Sequence, residues 1–173
     1  MERCEACGFD PQSVTPATAA DSVRAFARRY QAPLTRFLPT DDPAVVLSTP
    51  AEPDGWSALQ YAGHVRDVFD LFSRRIAQLR AADGAELEVV DHDALVAGGG
   101  YDELDPAELA QAIAAAAETL AAAFASLAPE EWERVGTRAG EPRSMLDIAR
   151  RSVHEGSHHL LDIGRTLRAA RGR

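Results

Sequence analysis

Apolar residues recur at intervals of three and four along four stretches of this chain, the period of helices that bury one face. The first stretch runs from about Ala19 to Leu38 and aligns Val23, Phe26, Tyr30, Leu34 and Phe37, with Pro33 set to kink or split it. The Pro-rich segment after it, PTDDPAVVLSTPAEPDGW, cannot be a regular helix. A second helix is predicted to start at Ser57, which forms an S-x-x-Q capping box with Gln60. Leu59, Ala62, Val65, Phe69, Phe72, Ile76 and Leu79 then keep the period until Asp83-Gly84. The third helix opens at DPAE, with Asp105 as cap and Pro106 in the first turn, and runs to about Leu127. Its Ala-rich sequence suits close packing. The fourth begins near Ser144 and continues through Leu167. No segment shows the alternation of a strand.

Residues 85–104 join the second and third helices. That length suits a crossing of the bundle end rather than a tight hairpin. The expected fold is therefore all-α, a four-helix bundle with a long crossover connection. It is expected to form one domain over residues 1–173, with an irregular segment at 1–17.

Composition narrows the function classes. The chain has 173 residues and is 46% hydrophobic, enough for one real core. No apolar run reaches ~18 residues, so no membrane span is expected. The segment MERCEACGFD lacks the apolar centre of a secretory signal, which leaves a cytoplasmic location as the expectation. The net charge of −9 argues against nucleic acid as a partner. All 18 basic residues are Arg, and with so much Ala this suggests a GC-rich genome.

The candidate chemistry lies in the stretch VHEGSHHLLD. It contains HExxH at His154 to His158, a zinc-protease pattern, and a second i, i+4 pair, Glu155 and His159. Each helical residue advances about 100°. With Met145 at zero, Met145, Ala149, Ser152, Val153, Gly156, Leu160, Ile163 and Leu167 fall between roughly −20° and +80°, the buried stripe. Glu155 and His159 fall at about 280° and 320°, on its shoulder. His154 and His158 fall at about 180° and 220°, where the wheel predicts an exposed face. The protease reading also lacks a third ligand, since Gly164 stands where the extended motif needs His. His64 occupies the shoulder of the second helix, where it either faces Glu155 and His159 on a neighbouring helix or stands as a solvated or hydrogen-bonded histidine. His154 and His158 remain an alternative register. His92 reads as loop polarity or a substrate-side contact. Cys4 and Cys7 form a C-x-x-C that fits free thiols, half a zinc site or a redox pair; a complete zinc site would need ligands from elsewhere.

Trp56, Ser57, His64 and Val65, and HExxHHLLDI from His154 to Ile163, carry a resemblance to the DinB-like (damage-inducible, YfiT-like) superfamily. Glu155, His159 and Asp162 also resemble the last helix of its mycothiol-dependent maleylpyruvate isomerases. CxxCGFD resembles an actinobacterial subgroup. The resemblance covers residues 4–165 and implies a four-helix bundle with a crossed connection, often dimeric. It implies a divalent metal, zinc or nickel, on a three-ligand site. It further implies a thiol-dependent transferase or isomerase that uses mycothiol, a small-molecule thiol, on an electrophilic substrate. On this reading Asp162 would orient a ligand imidazole, and Arg66 or Arg165 would hold a carboxylate. A non-catalytic metal-binding stress-response module and a metal-dependent hydrolase are the other readings carried forward.

Overall fold

In the computed structural model, which describes residues 1–172, the first predicted helix is divided into α1 (Ala19–Arg24), α2 (Phe26–Arg29) and α3 (Gln31–Thr35). Ala25 and Tyr30, at the breaks, keep right-handed helical dihedrals, so the arm continues through them. Pro33 has no N–H to offer the preceding turn, and the arm ends at Thr35, short of Leu38. The Pro-rich segment is not helix-free. It holds α4 (Pro43–Ser48), where Pro43 fills the first position and the Asp42 carboxylate accepts the Ala44 N–H at 3.0 Å.

The second long helix, α5 (Ala58–Ala81), has its capping box: Ser57 Oγ accepts the Gln60 N–H at 3.1 Å, and Gln60 Oε1 accepts the Ser57 N–H at 2.9 Å. After α5 come α6 (His92–Gly98), α7 (Pro106–Ala125) and α8 (Met145–Ala170). Helix α7 is apolar enough for a membrane-crossing composition, with a mean hydropathy of 1.2. Its Leu109, Ile113, Leu120 and Phe124 are buried in the bundle, while Gln111, Glu118 and Thr119 are exposed. That is the pattern of an amphipathic core helix.

The contacts of the 82–105 connection fix the topology. Leu87 packs into the core beyond the end of α5, and the Arg75 guanidinium donates to the Glu88 carbonyl. Further on, the Tyr101 hydroxyl donates to Asp67, and Asp102 accepts from Ser57 Oγ at 2.5 Å. The connection thus returns alongside α5 to its N-terminal end, where α7 begins. Helices α5 and α7 run parallel, and Arg80 at the end of α5 reaches Ser126 at the end of α7, 3.1 Å away. Helix α8 runs against α5: His64 faces Glu155 and His159. In the GGGY stretch, residues 98–101, the glycines are exposed and the tyrosine packs. Tyr101 is buried, and a Cβ on Gly63 would lie 2.7 Å from its ring.

Besides α4 and α6, a β-hairpin was absent from the sequence expectation. Strands β1 (Val135–Arg138) and β2 (Glu141–Ser144) pair antiparallel, with Arg138 opposite Glu141. The two turn residues, Ala139 and Gly140, have φ of 51° and 80°, the left-handed pair that a two-residue hairpin requires. Glu86 bridges to Thr137, which ties the connection to the hairpin.

Candidate metal centre

Helix α8 is covered on nearly every side between Val153 and Gly164; none of these residues is exposed. Ile163 and Gly156 face the core. At Gly156 a Cβ would lie 2.6 Å from Phe26, and the Tyr30 hydroxyl donates to the Gly156 carbonyl at 2.8 Å. The missing side chain therefore makes room for the Phe26 ring. This contact sets the rotation of α8 and turns Glu155 and His159 toward α5.

There they meet His64, which is only 5% exposed. Glu155 Oε2 lies 3.6 Å from His64 Nε2 and 3.2 Å from His159 Nε2. A tetrahedral ion with bonds of ~2.0–2.1 Å separates its ligand atoms by about 3.3 Å. The spacing of these three atoms fits one ion. His159 Nδ1–H donates to Asp162 Oδ2 at 3.1 Å, which leaves Nε2 as the lone-pair donor on the Glu155 side. The charges are shared strongly. Burial disfavours the Glu155 carboxylate, but hydrogen bonds from His159 and His64 hold its pKa well below the usual range. Burial likewise opposes the His159 imidazolium, yet hydrogen bonds to Asp162 and Glu155 raise its pKa to about 9.

Two surfaces flank the three residues. Trp56 and Tyr61 form an aromatic wall, with ring centroids 5.1 Å from His64 and 5.3 Å from His159 respectively. On the other flank is a pocket of about 120 Å³ lined by Val68, Phe72, Arg75, His92, Arg138, Arg151 and Glu155. The Arg75 pKa is lowered to about 10, by burial first and then by the neighbouring Arg138. Arg151 is also lowered, by burial and by Arg143 and Arg138. The cations here outnumber the single carboxylate, Glu155. Arg138 Nε is buried without a hydrogen-bond partner, and so is His92 Nδ1. The pocket is chemically suited to an anion.

Arg75, Arg138 and Arg151 were not singled out in the sequence. Arg138 sits on the hairpin, and Arg75 and Arg151 lie on separate helices, so no local motif joins them. Arg66 and Arg165, the expected carboxylate holders, are otherwise engaged. Arg66 Nε donates to Asp67 at 2.7 Å, and its guanidinium lies 5.7 Å from the Tyr101 ring centroid. Arg165 donates to Asp162 at 3.2 Å and to the Ala6 carbonyl at 3.1 Å.

His154 and His158 do not lie on an open face. Their side chains are 21% and 25% exposed, because the N-terminal segment covers that side of α8. A helical wheel registers only one buried stripe and cannot see a second covering segment. The ligand atoms of His154 and His158 gather with those of Cys4 and Cys7. A separate group contains His64, Glu155 and His159.

The chain is thus a helical bundle with a parallel crossover in which three side chains of metal-ligand type meet between two helices. The DinB superfamily model matches residues 19–163, and this chain belongs to that superfamily. A comparison with curated proteins finds no match. Among solved structures, YfiT from Bacillus subtilis superposes with a TM-score of 0.79 at 14% identity, over 91% of this chain and 87% of its own. YfiT is described as a probable metal-dependent hydrolase with an unusual four-helix bundle topology. At this identity the likeness establishes the shared fold.

Proposed function

We propose that His64, Glu155 and His159 hold one divalent ion, zinc or nickel. On this reading the protein is a thiol-dependent transferase or isomerase acting on a small, anionic electrophile. The observation that carries it is the convergence of three ligand atoms, 3.2 and 3.6 Å apart, beside a pocket rich in Arg. Three protein ligands leave a position open, and a bound ion would lower the pKa of a thiol or water held there. Asp162 fixes the His159 imidazole through its Nδ1–H. Trp56 and Tyr61 shield one flank from water. Arg138 and Arg151 attract a carboxylate on the thiol or substrate, and Arg75, whose Nε and Nη2 donate to the Glu88 carbonyl, adds positive charge to the pocket. His92, whose ring centroid is 4.8 Å from that of His64, offers an unpaired Nδ1 to the bound molecule. Mycothiol is the proposed thiol, on the sequence resemblance to mycothiol-dependent isomerases.

A second reading, a metal-dependent hydrolase, is favoured by the description of YfiT. The test is to incubate zinc-loaded protein with carboxylate-bearing electrophiles, with and without mycothiol, and to follow products by mass spectrometry. Thiol-dependent turnover that disappears in His159→Ala is expected. Turnover of esters or amides without thiol would replace the proposal with the hydrolase. No turnover by fully metal-loaded protein would leave a binding module.

A further inference from the structure

The C-x-x-C loop is a shaped turn. Gly8 adopts φ +73° and donates its N–H to the Cys4 carbonyl at 2.8 Å, and Cys4 N–H donates to the Phe9 carbonyl at 2.9 Å. This fold brings both thiols to one side. The loop is docked on α8 by Arg165, which donates to the Ala6 carbonyl, and by Phe9, whose ring centroid lies 5.5 Å from that of His154.

Facing the thiols are His154 and His158, one helical turn apart. One ligand atom from each of Cys4, Cys7, His154 and His158 falls within 4.8 Å of all the others. Cys4 Sγ and His158 Nδ1 are 3.6 Å apart. A tetrahedral zinc ion with Zn–S of ~2.3 Å and Zn–N of ~2.0–2.1 Å separates sulfur from nitrogen by about 3.6 Å. His154 Nε2 is buried with no hydrogen-bond partner, a cost that an ion would remove. His158 Nε2 lies 3.4 Å from Asp162 Oδ2, so a carboxylate backs the ring on the side away from Cys4.

We propose that Cys4, Cys7, His154 and His158 bind a zinc ion in a closed structural site distinct from the His64/Glu155/His159 centre. Two thiolates and two imidazoles in a tetrahedral set select zinc and leave no open position. The ion fastens residues 4–9 to the outer side of α8. It also fixes His158 against Asp162, whose Oδ2 simultaneously receives the His159 Nδ1–H. The two centres therefore share one carboxylate.

The test is a cobalt titration of untagged, reduced, metal-stripped protein, read by absorption and elemental analysis. Wild-type protein is expected to take two ions per chain, one of them giving thiolate-to-cobalt charge-transfer bands. The Cys4→Ser/Cys7→Ser double variant should take one ion and lose those bands. His64→Ala should also take one ion but keep them, so this site stands or falls independently of the three-ligand centre. Wild-type protein without thiolate bands would overturn the proposal, and that readout needs no variant to fold. Retention of two ions by the double cysteine variant would overturn it equally. So would a Cys4–Cys7 disulfide that persists in metal-loaded wild-type protein prepared under reducing conditions.

Discussion

Two glycines on α8 predict opposite outcomes for the same substitution. In Gly156→Ala the new Cβ would sit 2.6, 2.7 and 2.9 Å from three carbons of the Phe26 ring. Ordinary carbon contacts lie at ~3.5–4.0 Å, so the ring or the helix must retreat by about 1 Å. The ring has nowhere to go. It is fully buried, with the Phe69 centroid at 5.7 Å, the Tyr30 centroid at 6.2 Å and the Arg29 guanidinium 5.0 Å from its own centroid. Overpacking of this kind costs about 1–3 kcal/mol, and removing a mid-helix glycine returns ~1 kcal/mol. With so short a contact the net loss should be about 1–2 kcal/mol, a melting temperature lower by roughly 2–8 °C. In Gly164→Ala the Cβ meets only Arg168 Nη1, at 3.7 Å. That variant should gain about 0.5–1 kcal/mol from helix propensity alone. Thermal and urea denaturation of the two variants beside wild type provides the assay. A Gly156→Ala protein as stable as Gly164→Ala would refute the packing argument, and with it the account of what sets the rotation of α8.

Four further outcomes follow from the site. In metal-free protein His159 holds its proton up to about pH 9, above the ordinary 6.5, so an incoming ion must displace it. Apparent metal affinity should rise about tenfold per pH unit until about 9 and then level off; a flat profile between pH 6 and 8 would contradict this. The same raised pKa gives the metal-free fold a contribution that is full below about 6.5 and is lost as pH rises through about 9. Asp162→Asn removes the carboxylate behind His159, and affinity at the three-ligand centre should fall about 10–100-fold by competition with a chelating dye. Arg151→Ala relieves repulsion with Arg138 and Arg143, so urea stability should hold. The KM for a carboxylate substrate should rise about 10–100-fold, the equivalent of ~1.5–3 kcal/mol for a lost charged hydrogen bond. An unchanged KM would remove Arg151 from the anion pocket.

What could be read from the sequence was whatever local geometry determines. The caps at Ser57 and Asp105, and the long α5, α7 and α8, follow from side chains within a turn of each boundary. The i, i+4 spacing of Glu155 and His159 placed both on one shoulder, and the structure turns both toward His64. The hairpin was hidden because its strands have four residues each and its turn is Ala-Gly. Ala139 takes a left-handed φ that Asn or Asp would have signalled. The neighbours of His154 and His158 were hidden for a different reason. Cys4 is 154 residues from His158, and nothing local records that the N-terminal loop folds over α8. The Arg pocket is likewise a product of tertiary assembly, with contributions from α5, β1 and α8.

The decisive question is whether His64, Glu155 and His159 hold one ion. Crystals of untagged protein grown with added zinc, and diffraction data collected above and below the zinc absorption edge, test it most directly. An anomalous peak is expected about 2.0–2.2 Å from His64 Nε2, His159 Nε2 and a Glu155 oxygen, with a coordination position open. An empty site between these side chains at full zinc loading, or a peak there bound by His154 or His158, would contradict it.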